Sequence, residues 1–343
     1  MTAAQILATT GTTKTWKMQQ LFALGLTRRE VATMMNVGYG FAQNVYAAWV
    51  NTTATEAVAR PRRATRATVE TICAQVNART VNITTWADFT PTTPTRRFGV
   101  EIEAYGPARA TLLAELEAQG LEARGEDYNH TTRPHWKIVS DGSVRGTNPF
   151  ELVSPVLAGL EGLEQVRNAC RALNTTNAQV NNSCGLHVHI DARDLSIEHL
   201  RRVCLNYLRL ERTIDQVMPA ERRANANSYC MSIQRGRTLA AAEAAINAAT
   251  TAQELARAIN GNSRYYKVNL QSFFRHGTIE FRQHSGSTNA DKIVFWVRFL
   301  NNLVEYSRHH EAPAANSISD FVTFNQRDIA TYYQRRRTAL LAR

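Results

Sequence analysis

The sequence predicts an α+β protein in which a curved, mostly antiparallel sheet with flanking helices follows a small helical domain. After about residue 97, short segments in which polar and apolar residues alternate are interspersed with helical segments. Several of these strands have one polar and one apolar face, as in a sheet that packs on helices on one side and opens to a site on the other. Because helices lie between most strands, some strand neighbours are also expected to be parallel.

The chain is long enough for more than one domain. It has 343 residues, of which 44% are hydrophobic, an ordinary fraction for a globular protein. A stiff Thr- and Pro-rich stretch at 90–95 is a good boundary. We predict a helical domain at 1–52, a basic linker with a short helix near 69–77 at 53–96, a catalytic domain at 97–310 and a helical or flexible tail at 311–343.

Positive charge is concentrated near the N-terminus. The formal net charge is +11, and residues 1–96 contain 10 Lys or Arg against 4 Asp or Glu. An acidic partner such as nucleic acid fits this distribution, and a solubilising face is the alternative. Arg60, Arg62, Arg63 and Arg66 form a basic cluster suited to phosphate contacts, or a solvated linker.

Cysteine usage and hydropathy favour a cytoplasmic protein. The five cysteines are an odd number without a C-x-x-C pair, so neither a disulfide framework nor a zinc knuckle is indicated. No apolar run reaches the roughly 18 residues that a membrane span needs. Residues 1–13 lack the basic and apolar regions of a signal peptide, so none is expected.

The first fifty residues predict helices separated by turns. Apolar residues recur at helical spacing around residues 18–24, and Gly25 interrupts them. Thr27 and Glu30 have the spacing of a capping box at the start of the next helix. The turn 36–38 then precedes a helix at 39–50.

Residues 15–50 resemble, by this pattern, the helix-turn-helix of small DNA-binding domains. In that family the helix after the turn enters the major groove. Here that helix has Phe41, Tyr46 and Trp49 but no Lys or Arg before residue 51. Contact with DNA and docking to a protein partner therefore both remain open.

The segments after residue 97 follow one another in a clear order. Strands are predicted at 98–105, 136–139, 150–153, 184–191, 265–269 and 278–282. Helices are predicted at 109–118, 160–173, 196–217, 239–260 and 291–307. The strand at 136–139 runs into a turn at 140–143, and a loop around Gly277 joins the last two strands.

Three of these strands each present two ionisable side chains on one face. Residues i and i+2 of a strand share a face, which pairs Glu280 with Arg282. An isolated E-x-R of this kind is usually a solvated ion pair. The same polar–apolar–polar form recurs in Glu101-Ile102-Glu103 and in the strand that contains His187 and His189, which favours one shared site.

The side chains in this pattern favour hard divalent cations. Adjacent carboxylates repel one another unless a cation neutralises them, and H-x-H is a common metal-ligand spacing. A carboxylate-rich set with one or two imidazoles favours Mg²⁺ or Mn²⁺ over zinc. Together with Arg282 and Lys137, such ions suit a polyphosphate. No P-loop or Rossmann glycine motif is present, so the sheet face would have to bind the nucleotide.

Six blocks in order resemble the amidoligase family, which belongs to the carboxylate–amine ligase superfamily with glutamine synthetase and glutamate–cysteine ligase. They are F-G-V-E-I-E (98–103), W-K-I-V-S-D-G-S-V (136–144), F-E-L-V-S-P (150–155), G-L-H-V-H-I-D (185–191), Y-Y-K-V-N-L (265–270) and T-I-E-F-R-Q-H-S-G-S (278–287). The resemblance covers about residues 97–307. It implies a glutamine-synthetase-like sheet and ATP-dependent formation of an amide or isopeptide bond through an acyl phosphate.

The resemblance also implies roles for individual residues. Metal ligands would be Glu101 and Glu103, for two different ions, with Glu151, His187 and Glu280. His189 would lie near the ATP phosphates, and Arg282 would bind the transferring phosphoryl group. The entrance for the substrate or the nucleotide would contain Lys137, Asp141 and Ser143. The substrate itself would contact Asn269 and Tyr266.

The residues leave some roles and two other functions open. Asp141 is the candidate for the general base that the amine needs, while Cys184 fits small packing better than a nucleophile. A metal-dependent hydrolase would use the same H-x-H and carboxylates. A nucleic-acid-binding protein with a non-catalytic ligase-like domain would depend on residues 15–66. For the ligase, the N-terminal module would deliver the enzyme to a macromolecular acceptor, either a nucleic acid or a protein.

Overall fold

The computed structural model describes residues 3–24, 26–53 and 94–341, and the chain divides into two compact units, 1–80 and 81–343. The predicted linker helix at 69–77 and the basic cluster at 60–66 lie outside the described residues. The predicted domain boundaries remain predictions. Within the described ranges, no helix is both long and apolar enough to cross a membrane.

The described residues of the first unit form four helices: α1 (Ala3–Ala8), α2 (Lys14–Ala23), α3 (Arg28–Met34) and α4 (Tyr39–Thr53). The predicted capping box is confirmed, because the Thr27 side chain accepts from the backbone N–H of Glu30 and the Glu30 carboxylate accepts from that of Thr27. Tyr39 and Phe41 are exposed at the start of α4. Contact with DNA through this unit remains a prediction.

The second unit is built on one seven-stranded sheet. Its strands are β1 (Phe98–Ala104), β2 (Ala123–Gly125), β3 (Trp136–Val139), β4 (Phe150–Val153), β5 (Gly185–Asp191), β6 (Val268–Asn269) and β7 (Thr278–Ser285). Their order across the sheet is β2-β3-β4-β1-β5-β7-β6. Only β2 and β3 are parallel among the strand pairs of the described chain. The predicted α+β class with a mostly antiparallel sheet is confirmed.

Eight helices surround this sheet in the described part of the unit: α5 (Arg109–Ala118), α6 (Gly159–Thr175), α7 (Ile197–Asp215), α8 (Leu239–Asn247), α9 (Ala252–Asn260), α10 (Gln271–His276), α11 (Ala290–Tyr306) and α12 (Arg327–Leu341). The helix predicted at 239–260 is two helices, because Thr251 starts a new capping box with Glu254. The loop predicted before Gly277 contains α10, which ends at Gly277 with a left-handed φ of 70°.

Alternation along the strands separates the core from the site. Val100, Ile102, Val188, Ile279 and Phe281 are buried on the helix-covered face of the three central strands. The intervening residues of the same strands point to the opposite face. The acidic and imidazole side chains of β1, β5 and β7 therefore share one face of the sheet, as the sequence predicts.

The C-terminal segment belongs to the same core. A 3₁₀ turn at Ile318–Thr323 and α12 pack aromatic side chains around Phe299 of α11. The ring centroids of Phe321, Phe324 and Tyr333 lie 4.9, 5.4 and 5.2 Å from that of Phe299. This segment is thus helical and packed against the sheet's helical layer.

Candidate active site

Strand register brings the predicted site residues together. Glu101 of β1 is paired with His187 of β5, and Glu103 with Glu151 of β4. His189 is paired with Glu280 of β7. We call these six side chains the acid–imidazole cluster.

His187 lies at the centre of the acid–imidazole cluster. Its Nδ1 lies 3.1 Å from Glu101 Oε2, 3.8 Å from Glu151 Oε1 and 3.9 Å from Glu280 Oε1. Its Nε2 lies 3.5 Å from Glu103 Oε1. One imidazole therefore faces four carboxylates from three strands, and carboxylates this close together repel one another unless cations neutralise them.

His189 occupies one end of the cluster. Its Nε2 lies 3.3 Å from Glu101 Oε1, while Nδ1 lies within hydrogen-bond distance of Thr278 Oγ1 at 2.9 Å and of Ser272 Oγ at 3.2 Å. The contact of Nε2 with Glu101 lacks hydrogen-bond geometry, so this buried atom has no hydrogen-bond partner. The two hydroxyls fix the ring and leave Nε2 directed at the carboxylates.

Glu280 and Arg282 form a buried pair on β7. The Glu280 carboxylate accepts from Arg282 Nη1 at 2.5 Å and from Asn269 Nδ2 at 2.6 Å. Burial opposes ionisation of Glu280, but the positive charges of Arg282 and His189 hold its pKa at about 2. Glu280 is therefore ionised at neutral pH, and its contact with Arg282 is an internal ion pair instead of a surface one.

The other carboxylates differ in protonation. Burial opposes ionisation of Glu101 too, yet the nearby charge of His189 and the hydrogen bond with His187 keep its pKa well below the ordinary value. Burial, followed by repulsion from Glu101, Glu103 and Asp141, raises the pKa of Glu151 well above that value. Without a bound cation, the protonated form of Glu151 is therefore favoured relative to an ordinary glutamate.

The donor set fits hard divalent cations at three overlapping positions. Within each of three groups the ligand atoms lie within 4.8 Å of one another. The groups are Glu101, His189 and Glu280; Glu101, Glu151 and His187; and Glu103, Asp141 and Glu151. Two of them contain one histidine and the third only carboxylates, a composition that suits Mg²⁺ or Mn²⁺.

Binding of Mg²⁺ or Mn²⁺ is expected to release protons, because a ligating carboxylate must be ionised and the raised pKa of Glu151 favours its protonated form before the ion binds. Affinity should accordingly rise with pH. Calorimetric titrations at pH 7 in buffers of different ionisation enthalpy will measure the number of protons released. Glu151→Gln, which mimics the protonated side chain, should bind the ion more weakly and release fewer protons. Equal proton release by both proteins would contradict this assignment.

Two adjoining cavities flank the cluster. The larger has a volume of about 550 Å³ and the smaller about 360 Å³, and they share six lining residues: Glu101, His130, Glu151, His189, Arg275 and His276. The larger one is otherwise rich in arginine and tyrosine. The smaller one has apolar walls that include Phe98, Val153, Pro155 and Val156. The cluster therefore borders two compartments of different chemical character.

The remaining predicted residues lie around these cavities with different contacts. Asp141, Ser143 and Asn269 line the larger cavity, and Asp141 Oδ1 accepts from both the backbone N–H and the hydroxyl of Ser143. Lys137 lines the smaller cavity, but its Nζ donates to Asn129 and Thr131.

Tyr266 is not among the residues that line either cavity, and its ring lies 5.8 Å from the guanidinium of Arg235.

Sequence reasoning missed several residues of the larger cavity. Arg264 lies over the Tyr265 ring, 5.4 Å from its centroid, and Arg282 also contacts this ring at 5.8 Å. The run Ser263–Lys267, with two aromatics between two cations, was a signal that could have suggested a binding wall. Arg222 gave no such signal, because it follows a helix in an ordinary charged stretch.

The comparison with family models agrees with the resemblance that the motifs indicate. A family model described as "Putative amidoligase enzyme" matches residues 94–304. A solved structure titled "Crystal structure of novel glutamine synthase homolog" aligns with a TM-score of 0.38 and 13% sequence identity, covering 72% of this chain and 67% of that one. A search of curated proteins found no significant match.

Proposed function

This chain belongs to the amidoligase family, and from that premise we propose that it is an ATP-dependent carboxylate–amine ligase that uses Mg²⁺ or Mn²⁺. The observation that carries the proposal is the convergence of the acid–imidazole cluster and Arg282 between two cavities. Two reactants and a nucleotide need separate access to one charged centre. The two compartments provide such access.

The proposed reaction has two steps. A carboxylate oxygen of the acid attacks the γ-phosphorus of ATP, the bond from phosphorus to the bridging oxygen breaks, and ADP leaves. The amine nitrogen then attacks the acyl carbon, the carbon–oxygen bond to phosphate breaks, and an amide and inorganic phosphate form. Bound divalent cations would supply screening of the negative charges on the nucleotide and the acid.

The chain's own residues supply orientation and proton transfer in this scheme. Arg282 would bind the transferring phosphoryl group. Its ion-pair partner Glu280 would hold the guanidinium in place, and Asn269 donates to the other oxygen of that carboxylate. The amine must lose a proton, and Asp141 is the proposed acceptor because its carboxylate lines the larger cavity beside Glu103.

The smaller cavity is the proposed nucleotide compartment. Its apolar walls suit a base, and His189 and Lys137, which also line it, suit a polyphosphate. The acid and the amine would then occupy the larger, more polar cavity. This arrangement places the γ-phosphate at the cluster, between the two compartments.

Hydroxylamine provides a general test, because it replaces an unknown amine and converts an acyl phosphate into a hydroxamate. With full-length protein, Mg²⁺ and a pool of carboxylic acids, we expect hydroxamate and ADP in equal amounts. Mass spectrometry of the product identifies the acid. In a parallel incubation with a pool of amides, amide cleavage without ADP release would indicate the metal-dependent hydrolase instead.

A further inference from the structure

Arg222 is a buried cation whose role is not explained by the cluster. It lies in the 3₁₀ turn Ala220–Arg222 after α7, is 3% exposed and lines the larger cavity. Nη2 donates to the Cys184 carbonyl, Nη1 lies 3.7 Å from Cys230 Sγ, and Nε lacks a hydrogen-bond partner. Among the described residues no carboxylate pairs with this guanidinium. A buried charge of this kind is costly unless an anion joins it.

Gly185 shows how near Arg222 lies to the cluster. A Cβ added to Gly185 would lie 3.0 Å from His187 Nε2, 3.3 Å from Glu103 Oε2 and 3.4 Å from Arg222 Nη1. Three polar groups therefore surround the space beside the Gly185 Cα, which a side chain at this position would fill. Glu103 and Arg222 both line the larger cavity, and neither lines the smaller one.

The backbone of Arg222 is held by a polar network behind β7. Gln283 donates from Nε2 to the Arg222 carbonyl at 3.3 Å and to Asp215 Oδ1 at 2.5 Å. The Tyr207 hydroxyl donates to Gln283 Oε1 at 2.5 Å. A register shift in the pairing of β5 with β7 falls beside Gln283, and this residue is fully buried. The network fixes the backbone of Arg222, and the hydrogen bond from Nη2 to the Cys184 carbonyl orients the guanidinium before any ligand arrives, as an efficient anion site requires.

We propose that Arg222 binds the carboxylate group of the acid substrate in the larger cavity, at the Glu103 end of the cluster. Arg282 is already paired with Glu280, whereas Arg222 has no acidic partner in the described chain. A guanidinium binds a carboxylate through parallel hydrogen bonds, which also orient it. The identification of the bound anion as a substrate rests on the proposed ligase function. The binding of an anion by Arg222 does not, since anion affinity can be measured without ATP.

Binding of small anions to the full-length protein tests this inference. The probes are acetate, succinate and inorganic phosphate, with total ionic strength held constant by chloride, and the readout is the melting temperature at increasing probe concentration. Arg222→Gln should weaken carboxylate binding about 10- to 100-fold. Arg222→Lys keeps the charge without the planar fork and should show a smaller loss. Arg223→Gln is the matched control, because its Nε donates to the Met218 carbonyl and it lines neither cavity.

The outcomes separate this inference from the ligase proposal. Loss of acetate or succinate binding in Arg222→Gln, with wild-type behaviour in Arg223→Gln, supports the site even if no ligase reaction is found. Equal anion binding by the wild type and Arg222→Gln overturns it even if the ligase reaction is found. A loss confined to phosphate overturns the carboxylate assignment. If Arg222→Gln does not fold, unchanged carboxylate binding by Arg222→Lys shows that the residue is only structural.

Discussion

Glu280→Gln is expected to lower the rate of ATP-dependent amide formation about 10²- to 10³-fold. Glutamine has the size of glutamate but no charge. The substitution therefore removes one carboxylate from the cluster and leaves Arg282, which is 5% exposed, without its ion-pair partner. Both the proposed metal site and the proposed phosphoryl-binding arginine would be affected. The measurement is the rate of hydroxamate and ADP formation at saturating Mg²⁺.

Glu126→Gln is a suitable control for this substitution. Glu126 is also a partly buried carboxylate, paired with Arg133 and His135, but it lies outside the cluster and lines neither cavity. It should retain most of the activity. If Glu280→Gln kept more than half of the wild-type rate, Glu280 could not be the metal ligand and the site assignment would be wrong.

Lys267→Met is expected to destabilise the second unit by about 3–5 kcal/mol, the usual effect of removing one partner from a buried ionic group. Lys267 is fully buried, and its Nζ lies 3.0 Å from Glu211 Oε1 and 2.7 Å from Asp215 Oδ1. Methionine fills the same space but leaves two carboxylates without a cation. The free energy of unfolding in urea, measured for the transition of this unit, tests the expectation.

Lys137→Met provides the contrast. This buried ammonium donates to two carbonyls and an amide oxygen, so its removal leaves no buried carboxylate behind and should cost only about 1–3 kcal/mol. Combining Lys267→Met with Glu211→Gln and Asp215→Asn should recover much of the lost stability. A loss below about 1 kcal/mol for Lys267→Met alone would show that its ion pairs contribute little.

The two-residue period of strands explains why much of the site could be predicted. Glu101, Glu103, His187 and His189 reach one face because their apolar neighbours must be buried on the other. The sequence thus shows how many ionisable side chains each strand directs to the site. Which strands are neighbours is not visible, and it was the recurrence of the polar–apolar–polar form in three strands that indicated a single site.

The sequence could not predict features that depend on distant packing. A helical period runs through 239–260, yet the chain breaks there, because the competing cap at Thr251 starts a second helix. Arg222 reaches the cavity from a short turn 37 residues after Gly185, and only the folded chain brings the two together. For an isolated strand, a solvated surface ion pair was the natural interpretation of Glu280 and Arg282. In the folded chain neighbouring strands bury both residues, so the ion pair is internal.

The transfer of an oxygen atom tests the proposed chemistry most directly. A pool of carboxylic acids labelled with ¹⁸O in the carboxyl group is incubated with the full-length protein, unlabelled ATP, Mg²⁺ and hydroxylamine, and the phosphate released is analysed by mass spectrometry. Attack of the carboxylate on ATP predicts one ¹⁸O atom in phosphate for each hydroxamate formed. Unlabelled phosphate in the presence of product would contradict the acyl-phosphate mechanism.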